Sequence, residues 1–143
     1  MINLSEALEF RVTDALRQSA AGMSVLVVED QLLIAIDLEN MLLELGAKQV
    51  IIAHTADKAL ELIAITVFDI ALLDLRLGDS TSRAVAVALR ESKIPFALTT
   101  GYYAPAAIHE EFLNVPVIAK PYQEQDVASV LLVLVPRQTA MDQ

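Results

Sequence analysis

Five side chains in this sequence have types and positions that fit one reaction. Glu29 and Asp30 close one apolar run, Asp74 closes another, Thr100 a third and Lys120 a fourth. Clustered carboxylates repel and raise one another's pKa, so packing alone gives no reason to gather them. A grouping that costs stability at a ligand position points to a function. Hard divalent cations take oxygen ligands, and magnesium binds through one or two carboxylates together with waters and a phosphate oxygen. Glu29, Asp30 and Asp74 fit that description. A carboxylate left free to attack can form an aspartyl phosphate while the metal and Lys120 neutralise the oxygens of the transferring group. Asp74 is the best nucleophile candidate, because it stands alone at the end of a central buried strand and faces the acidic pair. Thr100 supplies a hydroxyl for a phosphoryl oxygen.

The elements that must position these groups follow from the patterning. Ser24–Val28 is a β-branched run ending on Glu29-Asp30, and Gln49–Ala53 is a second. Phe68–Leu73 leads to Asp74, Ile94–Thr99 to Thr100-Gly101, and Val115–Ala119 to Lys120-Pro121. Between them the periodicity predicts helices at Leu33 to Glu44, stopped by Gly46, and at Ala56 to Ile65, opened by Thr55 as a cap. Further helices are predicted from about Arg83 to Glu91 after a Gly78–Ser82 loop, over a short polar segment from Ala104 to Phe112, and from Glu124 to Val135. Parallel crossovers are right-handed, so this alternation predicts a doubly wound α/β sheet with helices on both faces. Ligands of such sheets bind outside the carboxyl ends of the strands, where all five side chains fall. Residues 3–20 predict an additional amphipathic helix. Leu4, Leu8, Val12, Ala15 and Leu16 share one side of it, and Asn3 with Glu6 caps its start.

Composition narrows the function classes. The 143 residues are 55% hydrophobic, yet the longest apolar stretches fall far short of the ~20 residues a membrane helix needs, so the apolar content must fill a core. Buried parallel strands suit that density. A net charge of −9 disfavours attachment to nucleic acid or an anionic membrane, which depends on Lys and Arg. The absence of cysteine excludes disulfides, thiol catalysis and cysteine-ligated zinc. Met1–Glu6 has no basic segment of the secretory kind, so a cytoplasmic location is expected.

In order and spacing, Val25–Asp30, Leu72-Leu73-Asp74, Thr100-Gly101 and Lys120-Pro121-Tyr122 resemble the receiver domain of two-component response regulators. The resemblance covers about residues 24–135. It implies a flavodoxin-like sheet in the order 2-1-3-4-5 with five helices, the N-terminal helix being extra. The organisation expected is a helix or linker at 1–22, a receiver at 23–136 and a tail at 137–143. The resemblance also implies that Asp74 accepts phosphate from a sensor histidine kinase or a histidine phosphotransfer protein. Mg²⁺ would be bound by Asp30, Asp74 and the backbone carbonyl of Arg76, with Glu29 acting through a metal-bound water. Thr100 and Lys120 would contact the phosphoryl group, and Lys120-Pro121 would be joined by a cis peptide. Leu98–Tyr103 is similar to the Phe-Ala-Thr-Gly-X-Tyr signature of receivers paired with HWE-type kinases. Val117 departs from the family, which has an aromatic switch residue there; Tyr102 or Tyr103 is the candidate substitute. With few residues after the last helix, output is expected through protein–protein contacts, including a homodimer formed by the N-terminal helix.

Competing readings are weaker. Glu29-Asp30 alone would serve as a helix cap, but Asp74 and Lys120 favour a site. A dehalogenase-type phosphatase needs a second Asp two residues after its nucleophile, where this chain has Arg76. A flavin carrier needs a Ser/Thr/Gly-rich phosphate loop after the first strand, where this chain has Glu29-Asp30-Gln31. His54 and His109 have no ligand pattern around them. A degenerate receiver that binds partners without phosphorylation is the main alternative.

Overall fold

The apolar runs become strands because helices cover both of their faces. In a computed structural model that describes residues 3–75, 79–101, 112 and 114–135, the order of elements is α1 (Leu4–Arg17), β1 (Ser24–Val28), α2 (Leu32–Glu44), β2 (Gln49–Ala53), α3 (Ala56–Ile65), β3 (Ile70–Asp74), α4 (Asp79–Glu91), β4 (Phe96–Thr100), β5 (Val117–Ala119) and α5 (Glu124–Leu134). All strand pairs are parallel and the sheet order is β2-β1-β3-β4-β5, as expected. No helix among the described residues is long and apolar enough to cross a membrane.

Alternate residues of each strand serve opposite faces. Leu26, Val28, Ala71, Leu73, Phe96 and Leu98 pack with α3 and α4, whereas Val25, Val27, Ile70, Leu72, Ala97 and Ile118 pack with α2 and α5. Every residue of β3 is buried. Asp74 is thus held by a strand with no freedom to tilt. Phe112 is buried on the first face, edge-on to Phe96 at 6.2 Å, with the Arg90 guanidinium 4.7 Å above its ring.

Several boundaries differ from expectation. The α4 helix starts at Asp79, not near Arg83, since Asp, Ser and Thr serve the first turn of a helix as readily as a loop. The β3 ladder omits Phe68 and Asp69 because the Asp69 carboxylate accepts from the Ser24 N–H at 2.7 Å and so closes the start of β1. β5 omits Val115 and Pro116; proline has no N–H to give, and its carbonyl accepts from Leu98 instead. The helix expected over 104–112 lies outside the described residues apart from Phe112, as does the tail.

The extra helix forms with the expected capping box: Asn3 Oδ1 accepts from the Glu6 N–H at 2.8 Å, and Glu6 Oε2 from the Asn3 N–H at 3.1 Å. It ends at Arg17, before the predicted Ala20, and buries none of its residues. Leu4, Leu8 and Val12 are exposed, while Leu16 leans on the second core face. The link from α1 is built into that core through Ala20 and Met23. Gly22 N–H donates to the Gly46 carbonyl and Ala20 N–H to that of Leu45. Gly46 has φ +104°, and a Cβ there would lie 2.9 Å from the Ala21 Cα. Gly22, at φ +74°, has open space around it. Gly46→Ala is therefore expected to lose about 2 kcal/mol or more, and Gly22→Ala only the backbone penalty of about 1 kcal/mol. Urea denaturation of the two variants measures the difference.

Candidate functional site

The carboxyl ends of β1, β3, β4 and β5 meet at one edge, and their last side chains are forced together there. Beyond β1, the Glu29 N–H continues the ladder to the Ala53 carbonyl, turning a side chain that is 1% exposed towards the neighbouring strand ends. Asp30 follows on the exposed side. Asp74 ends β3 opposite Thr99 and is fully buried. Thr100 ends β4, and its carbonyl accepts from the Lys120 N–H at 2.7 Å, which fixes the residue after β5. Lys120-Pro121 is cis, as expected.

The Lys120 ammonium donates to Glu29 Oε1 at 2.7 Å and lies 3.3 Å from Asp74 Oδ2. Glu29 Oε2 accepts from the Gln31 N–H at 3.1 Å. Ligand oxygens of Glu29, Asp30 and Asp74 lie within 4.8 Å of one another. A small octahedral cation about 2.1 Å from each ligand spans such a set directly or through a water.

The structure brings together Glu29, Asp30, Asp74 and Lys120, with Thr100 at the adjacent strand end. Arg76, Tyr102, Tyr103 and His109 lie outside the described residues. The helix-cap reading of Glu29-Asp30 is not met: the N-cap of α2 is Gln31. Val117 is 40% exposed on β5. His54 is tied to the site only through its ring, with Nδ1 3.2 Å from the Glu29 carbonyl.

Ser82, which the sequence pattern places in a loop, is a further residue of the site's frame. It is buried on α4, and its hydroxyl lies 3.3 Å from the carbonyls of both Asp74 and Leu75, holding the main chain that leaves β3. The signal was present: Ser82, Val85, Ala86 and Leu89 form a buried stripe in which one member is polar.

Among known proteins, no family model matches the chain. The phyllosphere-induced regulator PhyR of Methylorubrum extorquens is 31% identical over 125 residues, a match that takes in 84% of this chain and 47% of PhyR. The chain therefore spans about half the length of the curated relative it matches. Of solved structures, SdrG from Pseudomonas melonis Fr1 in its BeF3-activated conformation is 33% identical, with a TM-score of 0.69 over 81% of this chain and 98% of its own. The response regulator PhyR from Brucella abortus is 26% identical, with a TM-score of 0.73 over 92% of this chain and 54% of that one. The chain belongs to the response regulator receiver family. Its acidic cluster and lysine lie at the strand ends of a receiver, in a module that carries signals in two-component systems.

In this receiver, burial pushes the Glu29 carboxyl above its usual 4.5 and nearby Asp74 adds to the rise, while Lys120 and the Gln31 N–H oppose it. A carboxyl raised on folding favours the protein while protonated, so its contribution is present below about pH 4.5 and fades as pH rises through the higher folded value. The metal-free protein should lose stability across that rise, and Glu29→Gln should flatten the dependence. Thermal melts from about pH 4.5 to 7 compare the slopes; equal slopes would show that Glu29 does not set them.

Proposed function

We propose that Asp74 is a phosphoacceptor, taking a phosphoryl group from the phosphohistidine of a sensor kinase or histidine phosphotransfer protein. The observation that carries this reading is the buried Asp74 carboxylate beside the Lys120 ammonium, with Glu29 and Asp30 completing a cation site. A carboxylate oxygen of Asp74 attacks phosphorus, the P–N bond to imidazole breaks, and the released imidazole takes up a proton. Lys120 offsets the charge on the phosphoryl oxygens, and the Thr100 hydroxyl receives one of them. Asp30, Asp74 and the carbonyl of Arg76 would hold Mg²⁺, with Glu29 reaching it through water. Such an ion neutralises the charge developing on the transferring group. The site turns over only its own aspartyl phosphate.

The relative SdrG, known in a BeF3-activated conformation, supports an activatable receiver. The signature from Leu98 to Tyr103 favours HWE-type kinases as donors. Output runs through protein contacts, and the exposed Leu4, Leu8 and Val12 of α1 favour a homodimer as one of them. These side chains are solvent-facing in the single chain, so changing Leu8 and Val12 to Lys should leave the fold intact and halve the mass seen by light scattering; an unchanged mass contradicts the dimer.

Incubation with acetyl phosphate and Mg²⁺ should add one phosphoryl group to the wild type by intact mass. Asp74→Asn should take none, chelation of the metal should abolish the adduct, and Lys120→Met should slow it by about tenfold or more. A wild type that stays unmodified with both acetyl phosphate and a phosphorylated kinase would favour the phosphorylation-independent binding module.

A further inference from the structure

The backbone that leaves β3 turns towards α4. Along a strand, successive carbonyls point to opposite sides. Those of Asp74 and Leu75 instead lie at the same distance, 3.3 Å, from one oxygen, the Ser82 hydroxyl. Strand geometry therefore ends at Asp74 itself, the residue whose carboxylate stands beside the Lys120 ammonium.

Ser82 stands where it can hold that turn. It is in the first turn of α4, and the side chains of a helix lean towards its N-terminus, here the end nearer the strand exit in the chain. The residue is 5% exposed, so water competes little for its hydroxyl. The rest of its stripe, Val85, Ala86 and Leu89, is apolar and joins the core with Leu73, Phe96 and Leu98. Packing alone would be served by alanine, as it is at Ala86 one turn later. What the hydroxyl adds is a donor for the two carbonyls. Both bonds are longer than the usual O–H···O separation of about 2.7–2.8 Å, as when one hydrogen is divided between two acceptors.

We propose that Ser82 is a positioning residue for the cation site: by holding the carbonyls of Asp74 and Leu75 towards α4, it sets the direction in which the backbone leaves Asp74 and so the affinity of the site for Mg²⁺. The proposal rests on the reading of Asp74 as a Mg²⁺-dependent phosphoacceptor. In that reading the Arg76 carbonyl is a ligand, and it belongs to the peptide directly after the two that Ser82 holds. A change in those peptide planes reaches it with no residue between. Partners of this outer kind commonly change metal affinity by about tenfold or more when removed, because they orient the ligands. Ser82 touches neither the ion nor the phosphoryl group, so its effect falls on affinity more than on the chemical step.

Titration of the full chain with Mg²⁺, followed by ¹H–¹⁵N chemical shifts and with no phosphodonor present, reads that affinity. Ser82→Ala should weaken Mg²⁺ binding by about tenfold, while Ser82→Thr, which keeps the hydroxyl, should stay within about twofold of the wild type. Ile63→Val, a mildly destabilising core change on α3, should bind Mg²⁺ as the wild type does. With acetyl phosphate, Ser82→Ala should need about tenfold more Mg²⁺ for half-maximal modification and approach the wild-type rate at saturation. If the wild type binds Mg²⁺ and Ser82→Ala binds it equally well, the proposal falls and the phosphoacceptor reading stands. If Ile63→Val loses as much affinity as Ser82→Ala, the effect is one of stability and the proposal falls too. A wild type with neither Mg²⁺-dependent shifts nor a phosphoryl adduct overturns the phosphoacceptor reading and this proposal with it.

Discussion

One buried ammonium governs this site. Lys120, with a side chain 9% exposed, lies between Glu29 Oε1 at 2.7 Å and Asp74 Oδ2 at 3.3 Å, both carboxylates being almost wholly shielded from water. Buried charges are tolerated only when paired and hydrogen-bonded, because desolvation of each ion costs several kcal/mol. Two carboxylates side by side would otherwise force one to take up a proton. Burial holds the Glu29 carboxyl above its usual range, with Asp74 adding a smaller push, and Lys120 opposes that rise. Asp30 adds a third carboxylate, and ligand oxygens of the three lie within 4.8 Å of one another, close enough to hold a metal ion. Carboxylates gathered around one ammonium are the imbalance on which the proposed phosphoryl chemistry rests.

The scaffold exists to impose that imbalance. Glu29 is drawn in by the continuation of the β1–β2 ladder to Ala53, Asp74 is carried by a strand buried over its whole length, and Lys120 is pinned through its main-chain bond to Thr100. Ser82 secures the carbonyls where the chain leaves β3. No side chain of the cluster has to be held by its own contacts alone, since each is fixed by a strand end.

The sheet was legible because its strands are continuous Val, Leu and Ile runs, which buried parallel strands require, and because each run ended on a chemically distinctive residue. Glu29, Asp74 and Lys120 came together for that reason: parallel strands put all their carboxyl ends on one side. What stayed hidden depends on distances that sequence spacing does not encode. Ser82 looked like one of several loop hydroxyls until the helix proved to begin at Asp79 and turned that residue inward. Tyr122 stood in the sequence as part of a motif, and only the packing shows that its hydroxyl is sealed from water. The start of β3 was overestimated because Asp69 reads as a strand residue but spends its carboxylate on the Ser24 N–H.

The central claim is that the carboxylate at the end of β3, among three neighbouring carboxylates, is the one that carries phosphate. Borohydride reduction of the acetyl phosphate-treated protein converts an aspartyl phosphate to homoserine, and peptide mass mapping then locates it. Conversion at Asp74 alone is the predicted result. Conversion at Asp30, a reduced residue at Glu29, or no reduced residue anywhere in the presence of Mg²⁺ would contradict the account.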